Sequence, residues 1–318
     1  MLCACANAAA QPAATGAAQA YPAKPARIVV GFAPGGGTDL VARIIGAKLT
    51  ELWGQAFIVD NRAGAAGTIG ADVIAKAPPD GYNLMMGHVN SHAIAPNLYK
   101  KLPYDPQRDF AMVAYVGYVP NVLVMHPSIP AKNVGELVAI AKGKPGSLNY
   151  ASSGVGSTQH LAGELFQITS GAKLVHVPYK GSGPAVVDLM AGHVAMNFDT
   201  MPPVLPHIRS GKLKALAVTT PQRAAQLAQV PTMLESGLKG FEMTNWYGVM
   251  APAKTPRDIV TRLNTEINKI MAQPDAKAKL EEVGTQLNPM SPEQFATFLG
   301  SEIAKYARLI KTANVSID

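Results

Sequence analysis

Residues 30–45, Val-Gly-Phe-Ala-Pro-Gly-Gly-Gly-Thr-Asp-Leu-Val-Ala-Arg-Ile-Ile, decide how this chain is read. A β-branched run over 27–33 ends in three consecutive glycines, and apolar residues then recur at helical spacing, so the stretch predicts a strand, a tight loop and a helix. Glycines let backbone N–H groups approach a ligand, and the first turn of a helix adds unpaired amides and partial positive charge. That is the layout of an anion-binding loop. The segment 33–39 holds no lysine or arginine, lacks the Gly-Lys-Ser/Thr ending of a P-loop and does not match a dinucleotide fingerprint.

The same punctuation recurs along the chain. Strands are predicted at 27–33, 56–61, 83–87, 121–125, 147–151, 173–178, 194–198, 214–218 and 244–251, with amphipathic helices between them, the signature of parallel sheets covered by helices. The first helix is expected to bury Leu40, Val41, Ile44, Ile45, Leu49, Leu52 and Trp53 on one stripe. Thr255-Pro256 and Ser291-Pro292 each read as a helix cap followed by proline at the first helical position, and Gln294 completes a capping box with Ser291. The chain of 318 residues fits two α/β lobes. Crossings at 118–125 and 244–250 would build one lobe from 21–120 plus 249–318 and the other from 121–248, with a hinged cleft between them.

Residues 1–20 carry no charge and read as a residual leader whose basic start and apolar stretch are cut short, so export is expected. Both cysteines, Cys3 and Cys5, lie in that segment, which leaves residues 21 onward without disulfides, thiolate metal sites or cysteine nucleophiles. With a net charge of +7 spread without basic runs, the chain favours small anions over nucleic acid. No stretch is long and apolar enough for a membrane span.

In a parallel sheet, ligands sit where strand ends lead into helix N-termini. The loops in that position are 33–39, 61–68, 87–92, 151–160, 178–184 and 198–200, and all are rich in glycine, hydroxyl and amide groups. Asp39 reads first as a cap for its own helix, whereas Asp199, followed by Pro202-Pro203, is a candidate for touching a ligand or fixing a neighbouring side chain. His88 and His92 are four apart but lack further metal ligands nearby, and a structural role fits them better. Ser157 and His160 share a helical face without a nucleophile elbow, so a hydrolase is a minor alternative. No metal or cofactor is expected.

Together, Phe32–Asp39, Val59–Gly67, Asp80-Gly81-Tyr82, Val177–Ala185 with Asp188-Leu189, and Trp246-Tyr247-Gly248 before Ala251-Pro252 resemble the Bug-type receptors of tripartite tricarboxylate transporters. The resemblance runs from about residue 22 to the end. It implies a type II periplasmic-binding-protein fold, two α/β lobes joined by two crossing strands around a ligand cleft. It also implies a non-enzymatic, monomeric, periplasmic solute receptor that hands a small carboxylate to an integral-membrane permease. Di- and tricarboxylates, acidic amino acids and aromatic diacids such as terephthalate are the ligands it suggests. Carried over by position, the ligand-binding residues are Phe32, Ala33, Gly36, Thr38 and Asp39 in the first loop and Gly64, Ala65, Ala66 and Gly67 in the second. Ser153, Ser157, Thr158, His160, Tyr179, Lys180 and Asp199 come from the other lobe. His88, Asn90 and Ser91 are candidates for the ligand's distal end. A periplasmic sensor feeding a kinase is the other alternative.

Overall fold

The computed structural model describes residues 21–313, so the expected leader and both cysteines lie outside the described residues. The chain runs β1 Ala26–Val30, α1 Gly37–Trp53, β2 Phe57–Asn61, α2 Thr68–Ala75, β3 Asn83–His88, α3 Ala95–Leu98, β4 Phe110–Met125, α4 Val134–Gly143, β5 Asn149–Ser152 and α5 Thr158–Ser170. It continues with β6 Val175–Pro178, α6 Ser182–Met190, β7 Met196–Thr200, α7 Met201–Arg209, β8 Lys214–Val218, β9 Thr244–Pro252, α8 Arg257–Ala272, α9 Pro274–Glu282, β10 Gln286–Met290 and α10 Pro292–Ala313.

β4 organises the sheet. Its first part pairs with β9 as far as Pro120–Thr244 and with β10, while its second part pairs with β7 and β8 from Asn121 onward. One half of the sheet thus carries β2-β1-β3-β9-β4, the other β4-β7-β5-β6. Pairs β1–β2, β1–β3, β5–β6 and β5–β7 are parallel, and the remaining partners of β4 and β9 are antiparallel. The expectation of purely parallel sheets is therefore corrected: β4 and β9 run against their neighbours because each carries the chain from one half toward the other. Burial on both faces explains the unbroken apolar reading of β1, whose Ile28, Val29 and Val30 are fully buried.

Two features had no clear sequence signal. Residues 110–120 belong to β4, and β10 is a short strand with a proline and an exposed asparagine. The register of β4 against β9 slips between Met112 and Ala114. The Val113 carbonyl at that slip accepts a 2.7 Å hydrogen bond from Asn264 Nδ2 on α8, which also reaches the Met290 carbonyl at 3.0 Å. A side chain thereby replaces the missing ladder bond.

α1 buries Val41, Ala42, Ile45 and Leu49, and Gly46 lets it lie close on β2, since a Cβ there would stand 3.1 Å from the Phe57 carbonyl oxygen. Leu52 is exposed, so the buried stripe is narrower than expected. Ser291 and Gln294 form the reciprocal capping box, with bonds of 3.2 and 2.9 Å. At α8 the cap differs: Thr255 donates its hydroxyl to the Pro252 carbonyl, and the helix starts one residue later than expected, at Arg257. α10 packs Phe295, Leu299, Tyr306 and Ile310 into the same apolar core as Tyr115 and Trp246.

Where the two halves meet, Asn121 N–H bonds Thr219 Oγ1, Asn121 Nδ2 bonds the Phe198 carbonyl, and Asn245 Nδ2 donates to Asn121 Oδ1. Thr158 Oγ1 donates to Asn245 Oδ1 at 2.9 Å. All four side chains are fully buried. The two crossings therefore touch through a satisfied polar cluster, the kind of burial that specifies one arrangement.

Candidate functional site

The loops that follow β1, β3, β5, β6 and β7 converge between the halves. Phe32, Gly36, Gly37, Thr38, His88, Ser153, Gln159, Ser182 and Thr200 enclose a cavity of about 10 Å³, room for about one water. A larger groove of about 380 Å³ lies elsewhere, among Phe110, Met112, Arg257, Val260, Glu293 and Leu299. It lies beside the starts of α8 and α10 and is lined from one half alone, whereas the small cavity gathers strand-end loops from both halves, which are already pressed together around it.

α1 begins at Gly37 with Gly36 as its N-cap and no side chain capping it. The amides of its first turn have no intrahelical partners and open on the cavity side. Asp39 is not the cap it was expected to be. Its buried carboxylate accepts from Gly35 N–H at 3.0 Å, Asn61 Nδ2 at 2.9 Å and Arg43 at 2.9 Å, tying the first loop to the end of β2. Burial opposes its ionisation, but the bonds from Arg43, Gly35 and Asn61 outweigh that and hold its pKa below the usual carboxylate value. In the second loop Ala65 and Ala66 take positive φ of 45° and 51°, with Gly64 and Gly67 also in left-handed regions. Gly67 sits against the Phe32 ring, where a Cβ would be 3.0 Å from its Cζ. This loop lies against the cavity wall through Phe32 and is not itself lining.

His88 and His92 are buried, and desolvation pushes both pKa values down to about 3, so both rings are neutral. His88 Nδ1 accepts from Asn90 N–H, which leaves its Nε2 as the protonated donor. Ser91 Oγ bonds His92 Nδ1 at 2.9 Å and the His88 carbonyl at 3.3 Å, away from the cavity. Asn90 Oδ1 accepts Thr158 N–H from α5, a bond between the two halves, while its Nδ2 has no partner. Among the described residues no group of three or more His, Cys, Asp or Glu side chains is arranged to hold a metal.

From the other half, Ser153 and Gln159 reach the cavity. Ser157 Oγ caps α5 by accepting His160 N–H, and Thr158 is taken up by its bonds to Asn90 and Asn245. The His160 ring accepts from Gly156 N–H and stacks on His176 at 4.2 Å, so Ser157 and His160 are not set as nucleophile and base. Tyr179 donates to Asp188 at 2.6 Å, and Lys180 points to solvent while its carbonyl accepts Ala33 N–H at 2.9 Å, a second bond between the halves. Asp199 is fully buried behind the wall. Its Oδ1 accepts from Ser182 at 2.5 Å, Gln159 at 3.2 Å and Thr200 N–H at 2.8 Å, and its Oδ2 from Asn197 at 2.9 Å. Burial raises its pKa to about 6 despite these bonds.

Of the residues expected at the site, Phe32, Gly36, Thr38, His88 and Ser153 line the cavity. Gly37, Gln159, Ser182 and Thr200 line it too and were not singled out. All four fall in or beside the glycine- and hydroxyl-rich loops, and that was their only signal.

Two α/β halves closing on a polar cavity at strand ends and helix starts define a solute-binding protein of the type II periplasmic-binding fold. The chain belongs to the tripartite tricarboxylate transporter receptor (TctC) family, whose family model matches residues 41–315. The Bordetella pertussis protein BugT is 40% identical over 304 residues, 94% of this chain and 92% of its own. R. palustris Rpa4515, solved with adipate, superposes with a TM-score of 0.90 at 38% identity, covering 93% of this chain and 99% of that one. MatC from Rhodopseudomonas palustris, with bound malate, gives 0.87 at 33% identity over 91% and 100%. Proteins of this family are periplasmic solute receptors, and no helix among the described residues is long and apolar enough to cross a membrane.

Proposed function

We propose that this chain is the extracytoplasmic receptor of a tripartite tricarboxylate-type transporter, which takes up a small organic carboxylate between its halves and delivers it to a membrane permease. The observation that carries this reading is the convergence of the α1 N-terminus, Thr38 and His88 with Ser153, Gln159, Ser182 and Thr200 on one buried polar cavity. Backbone amides and neutral donors suffice to hold one diffuse carboxylate charge, and they release it more readily than a buried lysine would. Di- and tricarboxylates and aromatic diacids are the starting ligand class, supported by relatives solved with adipate and malate.

The protein acts as a monomer without a cofactor and without catalysis, in the periplasm. The lobes are those expected at 21–120 plus 249–318 and 121–248, with the return crossing drawn back to just before β9, because 244–248 pair with β3 and the first part of β4. The cavity of about 10 Å³ is far smaller than any diacid, so ligand entry requires the halves to part and reclose on a filled site. A thermal-shift screen against carboxylates and their amides tests the reading, because a ligand that binds only the folded state raises its melting temperature. Stabilisation by carboxylates and not by amides supports it; no stabilisation by any carboxylate overturns it.

A further inference from the structure

We propose that Asp199 sets the ligand preference of the cleft by holding the surrounding side chains as hydrogen-bond acceptors, so that the preferred carboxylate also carries a hydroxyl or ammonium donor. This rests on the receptor reading above and narrows its ligand class.

An ionised carboxylate only accepts hydrogen bonds. Asp199 therefore draws the Ser182 hydroxyl hydrogen and one Gln159 Nε2 hydrogen toward itself, and it accepts the Thr200 N–H and, at 3.4 Å, the Thr200 hydroxyl. The second Gln159 Nε2 hydrogen goes to Ser182 Oγ at 3.0 Å. Gln159 Oε1 must then face the other way, where it takes the Ser153 hydroxyl hydrogen at 2.5 Å. One buried charge thus fixes the direction of every side-chain hydrogen bond in the wall formed by Ser153, Gln159, Ser182 and Thr200. Lone pairs are what these four side chains have left for the cavity they line.

The opposite wall has the reverse polarity. It offers the first-turn amides of α1, the Thr38 hydroxyl and the protonated Nε2 of His88. A carboxylate fits that side. Against the Asp199 side, a second bare carboxylate meets oxygen lone pairs backed by a negative charge, whereas a hydroxyl or ammonium completes them.

The groups facing Asp199 are uncharged: Asn197 from its own strand, Gln159 from α5, Ser182 from α6, Thr200 at the start of α7, and the Tyr247 phenol from β9, which burial keeps protonated. Asp199 is ionised at pH 8.

Succinate, malate and aspartate share one carbon skeleton and differ at a single position by hydrogen, hydroxyl or ammonium. Titration calorimetry at pH 8 should show malate and aspartate bound roughly tenfold or more tightly than succinate, the size expected for a site left with unpaired polar groups. In Asp199→Ala, which frees the Ser182 and Thr200 hydroxyls and a Gln159 hydrogen to turn to the cavity, the three should fall within about threefold of one another. Asp199→Asn, whose Oδ1 still accepts those bonds, should keep the malate preference. Asp199→Asn can keep its packing, because Asn197 Oδ1 has no partner and its amide can turn over to meet the new Nδ2. Wild-type protein that binds succinate as tightly as malate and aspartate overturns the proposal without any variant, and so does an unchanged ratio in folded Asp199→Ala. Binding of adipate without a malate or aspartate preference overturns the proposal alone; binding of no carboxylate at all overturns the receptor reading together with it.

Discussion

Gly183→Ala separates closure from folding. Gly183 is the second residue of α6, and a Cβ there would collide with the Pro34 carbonyl oxygen of the first loop, far inside the 3.0 Å that real Cβ atoms keep. Backbone in the first loop has little room to give, since Ala33 N–H is bonded to the Lys180 carbonyl one turn away. Within its own half the alanine is benign, because glycine in a helix is disfavoured by up to about 1 kcal/mol relative to alanine. The substitution therefore acts on the joined state. Overpacking costs about 1–3 kcal/mol, and the Ala33–Lys180 bond that must loosen is worth about 1 kcal/mol. If ligand binds the closed form, apparent affinity falls by the sum of the two, about 30- to 800-fold, with the melting temperature of the free protein within a few degrees of wild type. Calorimetry with malate or adipate measures the first quantity and differential scanning fluorimetry the second. Small-angle scattering adds the radius of gyration, which should shrink on ligand addition less than in wild type. Unchanged affinity would refute the claim that this contact is part of the binding-competent form, and a collapse of free-protein stability would refute the claim that the halves fold without it.

Asp39→Ala should cost about 1–3 kcal/mol, because it leaves Gly35 N–H and the Asn61 amide without their buried acceptor; urea unfolding checks this. Ser157→Ala removes a helix cap and should cost about 1 kcal/mol, with ester turnover no different from wild type; a loss of turnover specific to this variant would revive the hydrolase alternative. Asp199 has a folded pKa raised to about 6, above its unfolded value, so its contribution to stability falls as pH rises from about 4 to about 6, by about 2–3 kcal/mol. Denaturation of wild type against Asp199→Asn across that window isolates it. His88 and His92 act in the opposite sense: their folded pKa values of about 3 lie below the unfolded one, so their contribution is present above about pH 6.5 and is lost as pH falls toward 3. A His92→Leu variant should lose less stability than wild type between pH 7 and 5.

Strands with β-branched runs between turn residues were legible from residue types alone: β8 matches its expected bounds, and β1, β2, β3 and β9 fall within a few residues of theirs. β10 was not, because Gln286-Leu287-Asn288-Pro289-Met290 has neither alternation nor β-branched residues; it is a strand only because β4 offers it an edge. The start of α8 differs too, since both the Thr255 hydroxyl and its N–H turn back to the Pro252 carbonyl, which leaves Thr255 outside the helix instead of capping it. At the site, glycine loops announce where a ligand can approach, but not which hydroxyls face it. Gln159 became a wall residue through bonds to Ser153, Ser182 and Asp199, the last two brought to it from other strands and helices of the fold. Asp199 is legible in the sequence as a candidate because Pro202-Pro203 follow it and leave it no obvious helix to cap. Its place behind the wall followed from burial that only the folded sheet creates.

The division of β4 between two sets of partners also bears on how the molecule is made. A nascent chain that has emerged only as far as Met243 already contains β4 through β8, hence every strand of the second half. The first half at that moment has β1, β2, β3 and the opening of β4, with the edges of β3 and of early β4 waiting for β9 and β10. Unpaired edges of this kind are where chains stick to one another. During synthesis the middle of the chain can settle first, while its beginning must wait for its end, and a helper that shields an open strand edge would be needed most in that interval.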